Sequence, residues 1–360
     1  MFISGRTAEI CHKGLNMEQQ SANRFTENDI RPRDLMDGQR IAFLSDVGRM
    51  LSRCGEFVRV SCPACESAMA KGAFQKYGLE YVTCNRCGTL YINPRPSPEV
   101  LEWFYRGSEN YAYWNRHIFP VSEKNRREKI VVPRADRVVS LCGKYGVQGG
   151  SLLEVGAAYG TFCEEMQSRG HFKRIVAVEP TPDLARTCRS KGIETIETPI
   201  EKLVVKPEDL FDVIVSFEVI EHLFSPKDFV LHCGRMLKPG GLFIVTCPNA
   251  EGFDIAVLGQ LCNNVDHEHL NYFNPSSLAI LMENSGYGVL ERQTPGRLDA
   301  ELVRNKILSG EMDISHQPFL KTILVDNWET AGDAFQEFLA QNGLSSHLWM
   351  AARKRMDSQA

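Results

Sequence analysis

The central third of the chain alternates short apolar runs with amphipathic segments. The segment at 161–169 places Phe162, Cys163 and Met166 at helical spacing, between two apolar runs that are each four residues long. Strands that are apolar on both faces and separated by helices are typical of a parallel sheet with helices on each side. The pattern therefore predicts an α/β fold, with strands near 152–155, 175–178, 193–198, 211–217 and 242–247.

The pattern differs on both sides of this core. Residues 1–30 are polar and aperiodic, which predicts a tail, whereas residues 33–53 have the spacing of an amphipathic helix. Residues 275–284 are predicted to form a capped helix, and 286–291 and 347–352 to form two further strands. Helical patterns between 299 and 342 indicate an insertion that acts as a lid or as an oligomer contact; the sequence favours neither role.

Composition narrows the class of protein. The chain has 360 residues, 43% of them hydrophobic, which is enough for a sizeable core and a smaller second unit. A net charge of −4 argues against a broad phosphate-binding surface, so nucleic acid is a disfavoured partner. No apolar run approaches 18 residues, and most of the 12 cysteines lie singly in predicted elements. A soluble cytoplasmic protein in a reducing compartment is expected.

Four of the cysteines form two Cys-x-x-Cys pairs separated by 18 residues. This spacing is typical of a zinc ribbon, in which four thiolates complete a closed tetrahedron and the metal stabilises a module too small for its own core. The alternative is a redox dithiol or two unrelated pairs, but neither pair opens a predicted helix. The predicted ligands of a structural Zn²⁺ are Cys62, Cys65, Cys84 and Cys87.

A glycine turn and an acidic residue mark a nucleoside site. The run at 152–155 ends in Gly156 and Gly160, and the run at 175–178 ends on Glu179. In Rossmann-like units such glycines let the backbone approach the ligand, and such a carboxylate binds the ribose hydroxyls. A dinucleotide fingerprint would also require glycine where Ala158 and Thr161 stand, so NAD is a poor candidate.

The stretch Glu154-x-Gly156-x-x-x-Gly160 resembles the first motif of class I S-adenosylmethionine-dependent methyltransferases, with Ala158 in place of the middle glycine. The segments FDVI…EVIEHL at 211–223 and LKPGG at 237–241 resemble the same family in order and spacing. The resemblance implies a Rossmann-like seven-stranded methyltransferase sheet that binds S-adenosylmethionine. The positions implied as cofactor-binding are Glu154, Gly156, Gly160, Glu179, Pro180 and Glu218.

The sequence indicates less clearly which residues would face the acceptor of the methyl group. His222 follows the fourth strand, where it would act as a base or merely orient its loop. Acids and histidines alternate within 264–275, which indicates either a metal site or an acid/base cluster over a polar substrate. Glu268 and His269 also resemble the catalytic stretch of zinc-ribbon-bearing methyltransferases of nucleotide-linked sugars, which implies that this pair acts as the base.

The expected organisation is a tail and helix at 1–55, the zinc ribbon at 56–98, a helical connector at 99–148, the methyltransferase domain at 149–298, and a helical insertion with the final strand at 299–360. Five aromatic residues of the connector either pack the ribbon onto the domain or line a cleft: Tyr111, Tyr113, Trp114, His117 and Phe119.

The expected acceptor is a sugar or nucleotide-sugar of glycan or surface polysaccharide biosynthesis, methylated at oxygen or at carbon. An RNA base methyltransferase and a non-catalytic S-adenosylmethionine-binding module are the alternatives, and the oligomeric state is left open.

Overall fold

The structure is a computed structural model that describes residues 24–147, 149–204 and 206–356. Most of the predicted tail at 1–30 lies outside these residues. Its last part is described, and there Phe25 and Ile30 are buried. The backbone of Ile30 also accepts a hydrogen bond from the guanidinium of Arg126, so the end of the predicted tail packs on the body.

The central sheet has seven strands: β6 (Ser151–Val155), β7 (Arg174–Val178), β8 (Glu194–Ile196), β9 (Phe211–Phe217), β10 (Leu237–Pro248), β12 (Tyr287–Gln293) and β13 (His347–Lys354). Their order in the sheet is β12-β13-β10-β9-β6-β7-β8. Strand β13 runs opposite to the other six, which makes the sheet mixed. The prediction of an α/β methyltransferase-type sheet is confirmed.

Strand β6 lies at the centre of the sheet and is buried along its full length, because it pairs in parallel with β7 on one side and β9 on the other. The carboxyl ends of β6, β7, β9 and β10 therefore meet at one edge. Strand β10 begins five residues before its predicted start. Its pairing register with β9 shifts between Leu237 and Leu242, and Gly240 within this interval has a φ of 77°. The strand therefore continues through Gly240 and Gly241 with an irregularity there.

Helices cover both faces of this sheet, and a hydrophobic core lies under each layer. Helices α5 (Val132–Lys144) and α6 (Thr161–Arg169) pack on one face, and α8 (Pro226–Met236) and α10 (Pro275–Asn284) pack on the other. Helix α7 (Pro182–Ser190) links β7 to β8. The predicted helix at 275–284 has these bounds, and Asn274 caps it by accepting a hydrogen bond from the backbone of Ser277.

The N-terminal part and the connector are mainly helical. Helix α1 (Arg33–Leu51) lies where an amphipathic helix was predicted, but its apolar residues do not share one face: Val47 and Met50 are buried, whereas Leu44 is exposed. Helix α2 (Pro98–Arg106) begins at the cap Ser97. Two π-type segments at 114–118 and 127–131 join α3 (Glu109–Tyr113), α4 (Phe119–Arg126) and α5 into one helical run.

The cysteine module contributes strands to a second sheet. Strands β1 (Phe57–Val58) and β5 (Arg95–Pro96) pair with each other, whereas β2 (Ala70–Lys76), β3 (Leu79–Cys84) and β4 (Leu90–Ile92) form an antiparallel sheet. A fourth strand, β11 (Asn271–Tyr272), pairs with β4 although it belongs to the predicted methyltransferase domain. The second sheet thus contains strands from the predicted ribbon at 56–98 and from the predicted domain at 149–298, and pairing with β11 covers one edge of β4.

The C-terminal insertion is helical, as predicted. It comprises α11 (Asp299–Leu308), α12 (Pro318–Lys321) and α13 (Trp328–Gln341), which pack near α9 (Phe253–Leu258). Val303, Leu324 and Leu339 share a third core with Tyr81 and Tyr272 of the second sheet. Its role as a lid or an oligomer contact stays a prediction. Within the described ranges, every helix is too short or too polar to traverse a bilayer.

Candidate functional site

The four predicted cysteine ligands come together in one cluster. Their sulfur atoms all lie within 4.8 Å of one another, with 3.4 Å between Cys62 and Cys87 and 3.6 Å between Cys65 and Cys84. Thiolates on a tetrahedral zinc ion at about 2.3 Å lie roughly 3.8 Å apart, so the spacing fits that ion.

The two Cys-x-x-Cys turns have the same backbone geometry. The N–H of Glu66 donates to the carbonyl of Cys62, and the N–H of Gly88 donates to the carbonyl of Cys84. Both donors have a positive φ, 59° at Glu66 and 76° at Gly88. A pair of matching turns that aims four sulfurs at one point is the arrangement of a closed structural metal site.

The cysteine module is tied to the methyltransferase part by buried hydrogen bonds. The guanidinium of Arg95, fully buried, donates to the carbonyls of Phe224 and Leu270. From the other side, the amide of Asn274 donates to the carbonyl of Cys87 at 3.0 Å. The module thereby holds the chain directly after the acids and histidines of residues 266–269.

The glycine turn after β6 is close-packed. At Gly156, where φ is 79°, an added Cβ would lie 2.5 Å from Cγ2 of Val219. At Gly160, where φ is 67°, it would lie 2.6 Å from Cδ1 of Ile193. Both positions require glycine for conformation and for space. The turn therefore touches the segment that follows β9, which carries His222.

Glu179 fixes this turn from the end of β7. Its buried carboxylate accepts hydrogen bonds from the backbone N–H of Ala158 at 2.8 Å and of Thr181 at 2.9 Å. Burial raises the pKa of Glu179, and the backbone bonds oppose that change. Ala158, which replaces the middle glycine, has a φ of 48°, so the substitution places a side chain in the left-handed region. Pro180 follows as an exposed residue.

The side chain of Glu154 lies inside the sheet layer. Its Oε2 atom accepts a hydrogen bond from the thiol of Cys163 at 3.0 Å, and burial raises the pKa of Glu154 to about 8. The carboxyl group is therefore mainly neutral near pH 7 and links β6 to helix α6 through Cys163. A direct contact between Glu154 and a cofactor stays a prediction.

Glu218 occupies a strained position directly after β9. Its φ is 56°, and its carboxylate accepts a hydrogen bond from the hydroxyl of Thr246. Nδ1 of His347 lies 3.4 Å from this carboxylate, and the guanidinium of Arg134 lies 3.9 Å away. The three neighbours come from β10, β13 and α5, and no local sequence signal assigned them to the site.

Two histidines and one acid form a cluster at this edge. Side-chain ligand atoms of Glu221, His222 and His269 lie within 4.8 Å of one another, and the two imidazole centroids are 4.6 Å apart. Nδ1 of His222 is 3.1 Å from the carbonyl of Glu268, and Nδ1 of His269 is 2.9 Å from that of Asn264. Because a carbonyl only accepts, each Nδ1 carries the proton and each Nε2 keeps a free lone pair.

Burial controls the charge of this cluster. It lowers the pKa of His222 to about 3 and raises the pKa of Glu221 well above its usual range, with a further contribution from Glu218. The amide of Asn271 donates to the carbonyls of Glu221 and Leu223 and so fixes the turn that presents the first two members. His222 is therefore a neutral hydrogen-bond acceptor in this setting.

Glu268 and His269 have different side-chain partners, and their joint role as the base stays a prediction. The backbone bends at His267 and Glu268, which turns adjacent side chains to different sides. Glu268 accepts a hydrogen bond from the amide of Asn110 at 2.7 Å, and its burial raises its pKa to about 8. The carboxylate near His269 is that of Asp266, 3.4 Å from Nδ1.

The connector aromatics have different surroundings. The hydroxyl of Tyr113 donates to the carbonyl of Leu35 in α1, and the ring of Trp114 lies 5.3 Å from that of Phe119 within the connector. Burial, with a further contribution from Glu268, raises the pKa of the Tyr111 hydroxyl well above its usual range. Tyr113 thus packs on the N-terminal helix and Tyr111 approaches the acidic stretch, while both predicted roles, packing of the ribbon onto the domain and lining of a cleft, stay predictions.

Residues 124–292 match the family model of a methyltransferase domain. A ubiquinone biosynthesis O-methyltransferase of Xanthomonas oryzae pv. oryzae is 28% identical over 163 residues, which are 41% of this chain and 67% of that protein. One of Maricaulis maris is 32% identical over 33% of this chain and 49% of the relative. The matches thus span about half to two thirds of these relatives.

Among solved structures, N-methyltransferase NodS from Bradyrhizobium japonicum, in complex with S-adenosyl-L-homocysteine, is 19% identical. The alignment covers 62% of this chain and 87% of that one, with a TM-score of 0.39.

Proposed function

The chain carries a class I S-adenosylmethionine-dependent methyltransferase domain, and we propose that it transfers the methyl group to a hydroxyl oxygen of a small polar acceptor, a sugar or nucleotide-sugar. The observation that carries the proposal is the cluster of buried Glu221 with the partly exposed His222 and His269. Its first two members follow β9, in a segment that touches the glycine turn through Val219. A hydroxyl needs polar partners to lose its proton, and this cluster supplies them beside the cofactor side.

The cofactor side is proposed to hold S-adenosylmethionine, whose sulfonium makes its methyl group electrophilic. The tight turn at Gly156 and Gly160 is proposed to present its backbone to the ligand, and Glu179 is the proposed partner of the ribose hydroxyls. Glu218 and Pro180, at the ends of β9 and β7, are proposed to border the same ligand. Glu154 is proposed to act from beneath by supporting the turn.

On the acceptor side, the free Nε2 lone pairs of His222 and His269 are proposed to bind the acceptor hydroxyl and promote loss of its proton. Glu268 is proposed to position this segment through its hydrogen bond to Asn110, which links the segment to the connector.

The four cysteines are proposed to bind a structural Zn²⁺ ion. Their closed sulfur cluster leaves no side open for substrate, and the module holds the acceptor segment through Arg95 and Asn274. The expected contribution of the metal is therefore to folding and to placement of the acceptor side.

A phenolic hydroxyl is a second candidate acceptor, because the curated relatives are O-methyltransferases of ubiquinone biosynthesis. The experiment incubates the purified protein and methyl-labelled S-adenosylmethionine with nucleotide sugars, free sugars, catechols and bulk RNA, and identifies products by mass. Label in an O-methyl sugar is expected. Label in catechol or in RNA would mean that the acceptor is a phenol or RNA and not a sugar. Cofactor binding without any product would indicate a non-catalytic module.

A further inference from the structure

We propose that Glu221, His222 and His269 form a binding site for a divalent metal ion, separate from the four-cysteine cluster. The three residues offer one carboxylate and two imidazoles whose ligand atoms lie within 4.8 Å of one another. Metal binding does not depend on the proposed function; only the use of the ion in catalysis rests on it.

The orientation of both imidazoles suits metal ligation. The Nδ1–H group of His222 donates to the carbonyl of Glu268, and that of His269 donates to the carbonyl of Asn264. Metal-binding histidines usually donate the other ring N–H to a carbonyl or carboxylate, which fixes the tautomer and aims the bare nitrogen at the ion. The carboxylate of Asp266, 3.4 Å from Nδ1 of His269, adds to this support.

The third ligand is a buried acid without a hydrogen-bond partner in the described part of the chain. Glu221 is fully buried, and neither of its carboxylate oxygens has a hydrogen bond among the residues that the structure describes. Such an orphaned group costs free energy unless something binds it. The turn that carries it is nevertheless held firmly, because the amide of Asn271 donates to the carbonyls of Glu221 and Leu223. A cation would satisfy the carboxylate without moving the turn.

The ligand chemistry narrows the choice of ion. Two imidazole nitrogens and one carboxylate suit Mn²⁺, Fe²⁺, Co²⁺ or Zn²⁺, and three protein ligands leave coordination positions open. Ligands at about 2.1 Å from one ion lie roughly 3–4 Å apart, so side-chain shifts of about 1 Å close the set. The open positions would accept oxygen atoms of an acceptor that carries neighbouring hydroxyls.

The transfer step then balances without another reactant. A cation lowers the pKa of a hydroxyl bound to it. The acceptor O–H bond breaks and its proton passes to water; the freed oxygen lone pair forms the O–CH₃ bond; the S–CH₃ bond breaks and its electron pair stays on sulfur. When the ion is bound, the Nε2 lone pairs of His222 and His269 are its ligands. The two imidazoles then activate the hydroxyl through the ion and do not accept its proton themselves.

The test titrates the purified, zinc-loaded protein with Mn²⁺ and follows free Mn²⁺ by electron paramagnetic resonance. Mn²⁺ prefers oxygen and nitrogen ligands and does not compete for four thiolates. One Mn²⁺ per chain is expected, with affinity lowered at least about tenfold in Glu221→Gln and in His269→Gln. His232→Gln is the matched control, since this histidine bonds a distant carbonyl, that of Leu203, and should leave affinity unchanged.

No binding by the wild-type protein, or full binding by both variants, would overturn the site. Calorimetric binding of S-adenosylmethionine checks that the variants fold. If the variants do not fold, nuclear magnetic resonance of the wild-type protein replaces them: added Mn²⁺ must broaden the imidazole proton signals of His222 and His269. Broadening confined to other histidines would overturn the site. Mn²⁺ binding without methylation of any acceptor rejects only the proposed function; methylation undiminished after chelation of this ion rejects its catalytic use.

Discussion

The two sides of the site differ in how they are built from the chain. On the cofactor side, the key bond joins Ala158 to Glu179, only 21 positions apart, inside one strand-turn-helix-strand unit. On the acceptor side, the bond between Asn110 and Glu268 spans 158 positions, and Arg95 and Asn271 add further long-range bonds. A local unit keeps its geometry when distant parts change, whereas an assembled one depends on every part.

The cysteine module should therefore matter more to the acceptor side than to the cofactor side. Its strand β4 pairs with β11, and Arg95 holds the carbonyl of Leu270, next to His269. The cofactor turn, by contrast, contacts Val219 and Ile193 and has no bond to the module among the described residues. The following predictions separate the two sides.

The largest expected effect is that of Cys84→Ser. Loss of one thiolate should release the proposed zinc ion and lower the free energy of unfolding by about 4 kcal/mol or more. In protein that remains folded, turnover should fall more than affinity for S-adenosylmethionine. Denaturant unfolding, metal analysis and calorimetry measure these quantities. Cys54→Ser, at an exposed cysteine outside the cluster, is the control, and equal losses in both variants would contradict a metal role.

Next in size is the effect of His269→Ala on turnover. Removing an imidazole that activates the acceptor hydroxyl should lower turnover by about 10²–10⁴ and leave cofactor affinity nearly unchanged. His222→Ala should fall in the same range, and a double variant no worse than either single one would show that the two act as a unit. Nearly full turnover in both single variants would mean that this cluster has no part in the chemistry.

On the cofactor side, Glu179→Ala should weaken S-adenosylmethionine binding by roughly 1.5–3 kcal/mol, because a charged hydrogen-bond acceptor is lost. The same change leaves the backbone N–H groups of Ala158 and Thr181 without their acceptor, so part of the loss in affinity comes from a less ordered turn. Calorimetric titration gives the affinity, and an unchanged value would reject the motif assignment.

Sequence alone predicted the parts of the molecule that are encoded locally. The strands at 152–155 and 175–178, the helix at 275–284 and the four-cysteine cluster all follow from short patterns, and the structure has them. Residues such as Asn110, Arg134 and Asn271 carry no such pattern, because their importance comes from partners that only the complete fold brings near.

At Glu268 and His269, adjacency in sequence did not predict the side-chain contacts. Adjacency in sequence indicated a carboxylate beside an imidazole, but a bend in the backbone sends Glu268 to Asn110 and leaves Asp266 near His269. Neighbours in a non-helical segment commonly face different sides, so sequence proximity was a poor guide to contact here.

A smaller effect concerns pH and the buried Glu154. Its folded pKa of about 8 lies above its ordinary value of 4.5, so the folded protein holds the proton more tightly. Its contribution to stability is therefore complete below about pH 4.5 and is lost as pH rises through about 8, by at most about 1.4 kcal/mol per pH unit.

Glu154→Gln should make the unfolding free energy less dependent on pH between about pH 6 and about pH 8, as denaturant unfolding at both values would show. Glu251→Gln, at an exposed acid, should keep the wild-type dependence. If the unfolding free energies of the wild type and Glu154→Gln changed equally with pH, this carboxyl group would be ionised in the folded protein.

The smallest expected effect tests the one departure of the glycine turn from the family motif. Ala158 has a φ of 48°, where a Cβ atom costs about 1 kcal/mol, whereas its buried neighbour Ala157 is outside the left-handed region. Ala158→Gly should therefore raise the free energy of unfolding by about 0.5–1 kcal/mol, and Ala157→Gly should lower it by a similar amount because glycine loses more entropy on folding. Denaturant unfolding of both variants gives the two signs, and calorimetry should find cofactor affinity preserved in Ala158→Gly, since the N–H that Glu179 accepts from is unchanged. Destabilisation by both substitutions would show that the turn does not hold residue 158 in the left-handed conformation. The backbone geometry that directs the N–H of residue 158 to Glu179 would then be incorrect.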